Sequence, residues 1–197
     1  MQTKPNQWIN MTFEQLKQQL YKYTRDTIKS FARQETIPDY VQIGNEVSAG
    51  ILWPDGNWSD WKKLGSLLRA ASKGVRDATQ QSKIVVHITH IDTWSTTKWL
   101  LDRIVFEENV DFDIIGESYY PFWDGSLDDV RNSLHQMVKL YQKPIIIAET
   151  AFPWTHEDPS KRSVKNTTGF DSGPDGQTQL FVLNFKTFTN AGTPPTD

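Results

Sequence analysis

Tyr40-Val41-Gln42-Ile43-Gly44-Asn45-Glu46-Val47-Ser48-Ala49-Gly50 is the stretch that decides the fold of this 197-residue chain. Tyr40 to Ile43 read as a short strand, and Gly44 closes it. A strand that runs into a glycine-bearing turn belongs to two architectures of alternating strands and helices, the doubly wound open sheet and the (β/α)₈ barrel. An open nucleotide-binding sheet would carry a glycine-rich phosphate turn at such a place, with backbone N–H groups aimed at an anion. This turn has two glycines, yet it sets the carboxylate of Glu46 where a phosphate would have to sit. The barrel is favoured.

The alternation continues on both sides of that turn. Upstream, Phe13, Leu16, Leu20, Tyr23 and Phe31 recur at near-helical spacing from Thr12 onward, and Thr12 with Gln15 forms a capping-box pattern. Pro38 ends this run. A loop rich in Gly, Pro, Asp and Trp follows to about Asp60, and Trp61, Leu64, Leu67, Leu68, Ala71 and Val75 then mark one face of a second helix. Lys83-Ile84-Val85-Val86-His87-Ile88 is β-branched and strand-like. A third helix with Trp99, Leu100 and Ile104 leads to a strand at Phe112-Asp113-Ile114-Ile115-Gly116. A fourth, with Leu127, Val130, Leu134, Met137, Val138 and Tyr141, leads to Pro144-Ile145-Ile146-Ile147-Ala148. One more helix is expected near Gln177 to Phe188. Such an order implies an α/β fold with a parallel sheet covered by helices.

Composition narrows the function. Hydrophobic residues at 37% and charged residues at 23% are those of a globular chain, with no membrane-spanning run. The net charge of −3, with both signs interspersed, offers no basic stripe for phosphates, so nucleic acid is not an expected partner. Cysteine is absent, which removes thiolate nucleophiles and Cys-type zinc sites. The polar opening Met1-Gln2-Thr3-Lys4-Pro5 lacks the apolar segment of a secretory signal. Eight tryptophans are many for this length, and several fall in expected loops, where flat indole faces suit sugar rings.

In a barrel the working residues stand at the C-terminal strand ends. Here the four strands run into Asn45-Glu46, His87, Ser118-Tyr119-Tyr120 and Glu149-Thr150. Two carboxylates at separate strand ends suit glycoside cleavage, in which one protonates the leaving oxygen and the other attacks the anomeric carbon. Equally, each could be a loop carboxylate that caps the next helix or pairs with Lys or Arg. His87 is expected to line the cleft or to serve the core. Trp53, Trp123 and Trp154 lie in the loops after these strands and are candidate sugar platforms, whereas Trp61 and Trp99 sit on helix faces and are expected in the core.

Three blocks carry a family resemblance. They are Val41-Gln42-Ile43-Gly44-Asn45-Glu46 followed by Gly50-Ile51-Leu52-Trp53-Pro54-Asp55-Gly56, then Ile114-Ile115-Gly116-Glu117-Ser118-Tyr119-Tyr120-Pro121-Phe122-Trp123, and Ile146-Ile147-Ala148-Glu149-Thr150-Ala151-Phe152-Pro153-Trp154. Together they resemble glycoside hydrolase family 53, the endo-β-1,4-galactanases, from Gln2 to Gln177, and the likeness fades only near Gly192 to Asp197. The resemblance implies a clan A (β/α)₈ TIM barrel in which Glu46 closes strand 4 and Glu149 closes strand 7. Glu46 would be the acid/base, holding its proton until the leaving oxygen takes it, and Glu149 the ionised nucleophile. Asn45 would bind the sugar 2-hydroxyl, and Tyr119 or Tyr120 would orient Glu149. Two residues depart from the family pattern, Asp124 after the tryptophan and Glu117 ahead of the tyrosines.

On this alignment residues 1–197 form a single incomplete barrel domain holding about strands 4 to 7. The first three strands and the last would lie outside it, and such a piece is expected to expose strand edges and to aggregate. The implied substrate is polymeric β-1,4-galactan in pectin side chains, which places the full-length parent outside the cytoplasm, secreted or periplasmic. Other readings are another clan A glycosidase such as a mannanase or cellulase, a catalytically silent galactan-binding piece, or a non-functional fragment. No cofactor is expected. Calcium in the run Asp171-Ser172-Gly173-Pro174-Asp175-Gly176 is a weaker expectation than a polar turn, and the sequence does not reveal an oligomeric state.

Overall fold

A computed structural model describes residues 3–155, 157 and 164–191. Gly192 to Asp197, where the family resemblance fades, lie outside them. The chain forms two compact units, residues 1–88 with 99–116, and residues 89–98 with 117–197. The four-stranded sheet has the order β1 (Tyr40–Gln42), β4 (Lys83–Ile88), β5 (Ile114–Tyr119), β6 (Ile145–Thr150), and β5 passes from the first unit into the second. A separate two-stranded hairpin pairs β2 (Gly50–Ile51) with β3 (Gly56–Asn57).

In the first unit, α1 (Phe13–Arg33) and α2 (Trp61–Ala78) pack against each other. The capping box at the start of α1 forms as its sequence indicates, because Thr12 Oγ1 accepts from Gln15 N–H and Gln15 Oε1 accepts from Thr12 N–H. Asp60 caps α2 by accepting from Lys63 N–H at 3.1 Å. The expected face of α2 is buried in full, with Leu64, Leu67, Leu68 and Val75 entirely inaccessible. Gly74 permits the close crossing of the two helices, since a Cβ there would stand 2.8 Å from the Tyr21 carbonyl and 2.9 Å from Thr24 Cβ. The apolar face of α1 is narrower than expected. Leu16 and Ile28 are buried, whereas Tyr23 and Phe31 stand on the exposed side, and Tyr23 meets Trp8 edge to face.

β1 and β4 pair in parallel, with Tyr40 opposite Lys83, Val41 opposite Ile84 and Gln42 opposite Val85. β4 is buried on both faces from Ile84 to Ile88, as a central parallel strand should be. Arg76 at the end of α2 clamps Asp111 through two nitrogens and reaches Asp113 at 3.0 Å, and Asp113 also accepts from Ile84 N–H at 2.7 Å. Burial alone would raise the Asp113 carboxyl, but these hydrogen bonds outweigh it and hold the group below its ordinary value.

Trp99 corrects one expectation. It follows the first turn of α3 (Trp94–Asp102) and is 40% exposed, while Trp61 is buried. The two indoles meet edge to face at 5.6 Å, and the Arg103 guanidinium lies over the Trp99 ring at 4.9 Å. The same guanidinium lies 5.7 Å over the buried Trp61 ring, so it bridges the inner and outer indoles.

In the second unit, α4 (Leu127–Tyr141) starts with a capping box of Ser126 and Asp129 and buries Leu127, Val130, Leu134, Met137 and Tyr141. α4 packs against α6 (Pro174–Ala191), and a short helix α5 (Lys165–Thr168) precedes α6. The expected burial of the Ile145 to Ala148 run is only partial, and Ile146 is exposed. β6 ends the strand order, so one of its sides has no neighbouring strand among the described residues. Tyr40 on β1, at the other end of that order, is likewise exposed.

Candidate active site

The first group of site residues lies in the first unit, where β1 leaves the sheet. The ladder extends one residue past β1, because Ile43 N–H donates to Val85 O at 3.0 Å. Gly44 then turns the chain at φ +91°, and a Cβ there would stand 2.7 Å from Val47 Cγ1, so the left-handed turn needs glycine. Glu46 itself adopts φ 44° and ψ 57°. A left-handed conformation at a non-glycine residue is uncommon and costs about 1–3 kcal/mol, and such strain clusters at functional sites. Val47, fully buried, anchors the 3₁₀ turn that follows.

His87 stands two residues beyond the Val85 that faces Gln42, which places it beside this turn. It is fully buried, and its Nδ1 lies 3.2 Å from Asn45 Oδ1 and 3.4 Å from the Glu46 backbone N. Gln42 Nε2 donates to the same Asn45 oxygen at 3.0 Å. Trp53 fixes its indole by donating Nε1–H to Ala49 O at 3.0 Å. Asp55 in the same loop pairs with Lys4 at 2.6 Å. Trp58, which sequence reading did not single out, is half exposed in this loop.

The second group lies in the second unit. Tyr120 Oη donates to Glu149 Oε2 at 2.9 Å, a charge-assisted bond when Glu149 is ionised. Of the two tyrosines expected to orient Glu149, Tyr120 makes the bond. Tyr119 is fully buried, and its hydroxyl has no hydrogen-bond partner among the described residues. Strand alternation accounts for this difference, because neighbouring side chains point to opposite faces. Burial, with Asp124 and Asp92 nearby, holds the Tyr119 phenol un-ionised, well above its ordinary range.

Glu117 shares the Tyr119 face. It too is fully buried, and neither carboxyl oxygen has a partner among the described residues. Desolvation, reinforced by Asp124 and Asp92, pushes its carboxyl far above the ordinary carboxylate range, so it is held protonated. Asp124 serves the backbone. Its Oδ2 accepts from Tyr120 N–H at 2.5 Å, while Trp123 N–H and Asp124 N–H both donate to Tyr120 O at 2.8 Å. This turn holds Tyr120 in place and presents Trp123, which is 71% exposed and meets Tyr120 and Phe122 edge to face. Trp154 is exposed to a similar degree, at 69%.

Among the described residues no group of three or more His, Cys, Asp and Glu is arranged to hold a metal ion. In the run from Asp171 to Gly176, Asp171 is paired with Lys165 at 2.9 Å. No described helix is long and apolar enough to cross a membrane.

Parallel strands alternating with helices, with Asn-Glu past one strand end and a tyrosine-bound Glu at another, place the chain in the class of α/β-barrel folds. The sequence profile of glycosyl hydrolase family 53 matches residues 1–192. The chain therefore belongs to that family. An arabinogalactan endo-β-1,4-galactanase of Humicola insolens is 34% identical over 185 residues, covering 90% of this chain and 55% of the relative. The family 53 catalytic domain of Ignisphaera aggregans superposes with a TM-score of 0.90 at 33% identity, over 98% of this chain and 55% of that one. A fungal β-1,4-galactanase structure gives 0.85 at 31% identity, over 97% and 58%. The fold is thus that of part of a TIM barrel, and the chain spans about half the length of the relatives it matches.

Proposed function

We propose that the chain carries the catalytic residues of a retaining endo-β-1,4-galactanase, with galactan side chains of pectin as the substrate class and an extracytoplasmic site of action. Glu149 attacks the anomeric carbon while Glu46 gives its proton to the departing glycosidic oxygen, which yields a covalent galactosyl ester and a shortened chain. Water then attacks the anomeric carbon of that ester, Glu46 takes the water's proton, Glu149 leaves as carboxylate, and the β configuration is restored. Asn45 holds the sugar 2-hydroxyl, and Trp53, Trp123 and Trp154 stack on galactose rings.

The observation that carries this reading is the 2.9 Å bond from Tyr120 to Glu149. A nucleophile must keep one oxygen aimed at the reacting carbon, and a phenol donor on the other oxygen sets that aim. Family membership supports the substrate class, since two of the relatives named above are galactanases.

A second reading rests on the share of the relatives that the chain covers and on the exposed Trp123 and Trp154: galactan binding without turnover. Incubation with linear β-1,4-galactan, mannan and cellulose tests both. Galactooligosaccharides from galactan alone, lost in Glu46→Gln and Glu149→Gln, support the hydrolase. Retardation in a galactan affinity gel with no products supports the binding reading. Activity undiminished in Glu149→Gln would remove the assigned roles.

A further inference from the structure

Tyr120 directly follows β5, so its backbone lies past the last residue that the sheet holds. Its hydroxyl stands at the far end of a long side chain, where a small tilt of the backbone is magnified. A misplacement of about 1 Å in a reacting constellation can cost roughly a hundredfold in rate. The 2.9 Å bond from Tyr120 to Glu149 therefore needs a hold on Tyr120 other than the ladder. Three hydrogen bonds supply it. Trp123 N–H and Asp124 N–H both donate to Tyr120 O at 2.8 Å, and Tyr120 N–H donates to Asp124 Oδ2 at 2.5 Å. The first two are backbone bonds that most residues at these positions could make. The third is specified by the Asp124 side chain, and an ionised carboxylate is about twice as strong an acceptor as a neutral oxygen. Asp124 does not serve the helix that follows, because α4 has its own capping box in Ser126 and Asp129. The Tyr120 ring packs against Phe122 at 5.6 Å and Trp123 at 5.5 Å, both in the same turn, so closing that turn also confines the ring.

From this we infer that Asp124 is a positioning residue for the nucleophile: it fixes the Tyr120 backbone and so keeps the phenol on Glu149. The inference rests on the galactanase reading for its reaction and adds to it a residue to which the family resemblance assigns no role, since Asp124 departs from the family pattern. Asp124 acts through Tyr120, and its contribution should vanish when the phenol is gone.

Two measurements on the whole 197-residue chain test this. In protein labelled with ¹³C at the tyrosine ζ carbon, the Tyr120 signal is the one of six that disappears in Tyr120→Phe, and Glu149→Ala gives its position once the phenol has lost that acceptor. Asp124→Ala should move the signal toward that position. Asp124→Asn keeps an oxygen for the Tyr120 N–H and should move it less. A signal unmoved in Asp124→Ala overturns the inference. Kinetics then follows the labelling of Glu149 by a dinitrophenyl 2-deoxy-2-fluoro-β-galactobioside, whose leaving group departs without a proton from Glu46. Asp124→Ala should slow labelling about tenfold in the parent and less than about twofold when Tyr120 is already Phe, the scale of one charge-assisted hydrogen bond. An equal loss in both backgrounds would mean that Asp124 serves the fold or the Trp123 platform, and would refute the positioning role. Should Asp124→Ala give no cooperative melt, Asp124→Ser, whose oxygen sits on a shorter side chain, takes its place in both measurements. If the parent is not labelled, the galactanase reading has failed for this chain, and the ζ-carbon signal still decides whether Asp124 holds Tyr120 on Glu149.

Discussion

The buried carboxyl of Glu117 makes the stability of the chain depend on pH in a direction that can be worked out from its surroundings. In the folded state Glu117 is inaccessible, both oxygens lack partners among the described residues, and Asp124 and Asp92 oppose its ionisation. In the unfolded chain it ionises like any glutamate, near pH ~4.3. Between that value and the raised folded value, the folded state keeps a proton that the unfolded state has lost. Folding then takes up one proton, and stability falls as pH rises, by about a factor of ten in the folding constant per pH unit. Below the unfolded value the penalty is absent. From pH 5.5 to 7.5 the loss reaches up to ~3 kcal/mol if Glu117 stays protonated throughout.

Glu117→Gln keeps the shape and removes the proton. Urea unfolding followed by tryptophan fluorescence at pH 5.5, 6.5 and 7.5 should show the variant gaining on the parent as pH rises, by as much as that amount. Glu117→Leu should gain further, because the orphan polar atoms are gone, each costing roughly 1–3 kcal/mol when buried unpaired. Parallel stability curves for parent and Glu117→Gln would refute the reasoning, since they would mean that the folded carboxyl titrates like an unfolded one.

Tyr120→Phe removes one hydrogen bond to the Glu149 carboxylate, worth ~1.5–3 kcal/mol, so kcat should fall by roughly 10- to 150-fold with the fold intact, measured as galactan turnover beside a thermal melt. Leu68→Ala empties a fully buried position on α2 and should cost ~2–5 kcal/mol in urea unfolding. Arg76→Met leaves Asp111 and Asp113 without their guanidinium and should cost ~1–3 kcal/mol at neutral pH. The sign of its pH dependence follows from Asp113, whose folded value is depressed: that stabilisation is present above about pH 4 and is lost as pH falls through the folded value, so parent and variant should converge in acid.

Long amphipathic elements were legible in the sequence. α2 buried the face that its spacing marks, α4 did so apart from the half-buried Val138, and Thr12 with Gln15 capped α1 as written, because helical period and cap chemistry are local. β4 was legible for its β-branched run. The second long strand was not read to its end: Phe112 to Gly116 was expected, and the strand runs Ile114–Tyr119. Glu117 and Ser118 looked like strand-end residues, and nothing local tells a buried, protonated glutamate from an exposed one. The β2 and β3 hairpin has two residues per strand, too few for any period to appear. Trp99 was misplaced because helical spacing does not reveal that Trp61, packed edge to face against it, takes the buried place. Both glutamates and Asn45 came from strand-end position and motif. The contacts of Gln42 and Asp124 were not legible, because one side chain reaches Asn45 three residues on and the other binds a backbone N–H.

The site residues nonetheless follow one rule. Asn45 and Glu46 end β1, and the group that meets them, His87, stands on β4, its neighbour in the sheet. Glu149 stands on β6, and the group that meets it, Tyr120, directly follows β5, its neighbour in the sheet. In each case the orienting side chain comes from the adjacent strand. Parallel ladders hold adjacent strands in fixed register, and a shift of one residue would turn the orienting side chain to the opposite face. The placing of His87 beside Asn45 and of Tyr120 beside Glu149 therefore follows from ladder register. That register explains why Tyr119, one residue from Tyr120 and chemically identical, takes no part in holding Glu149.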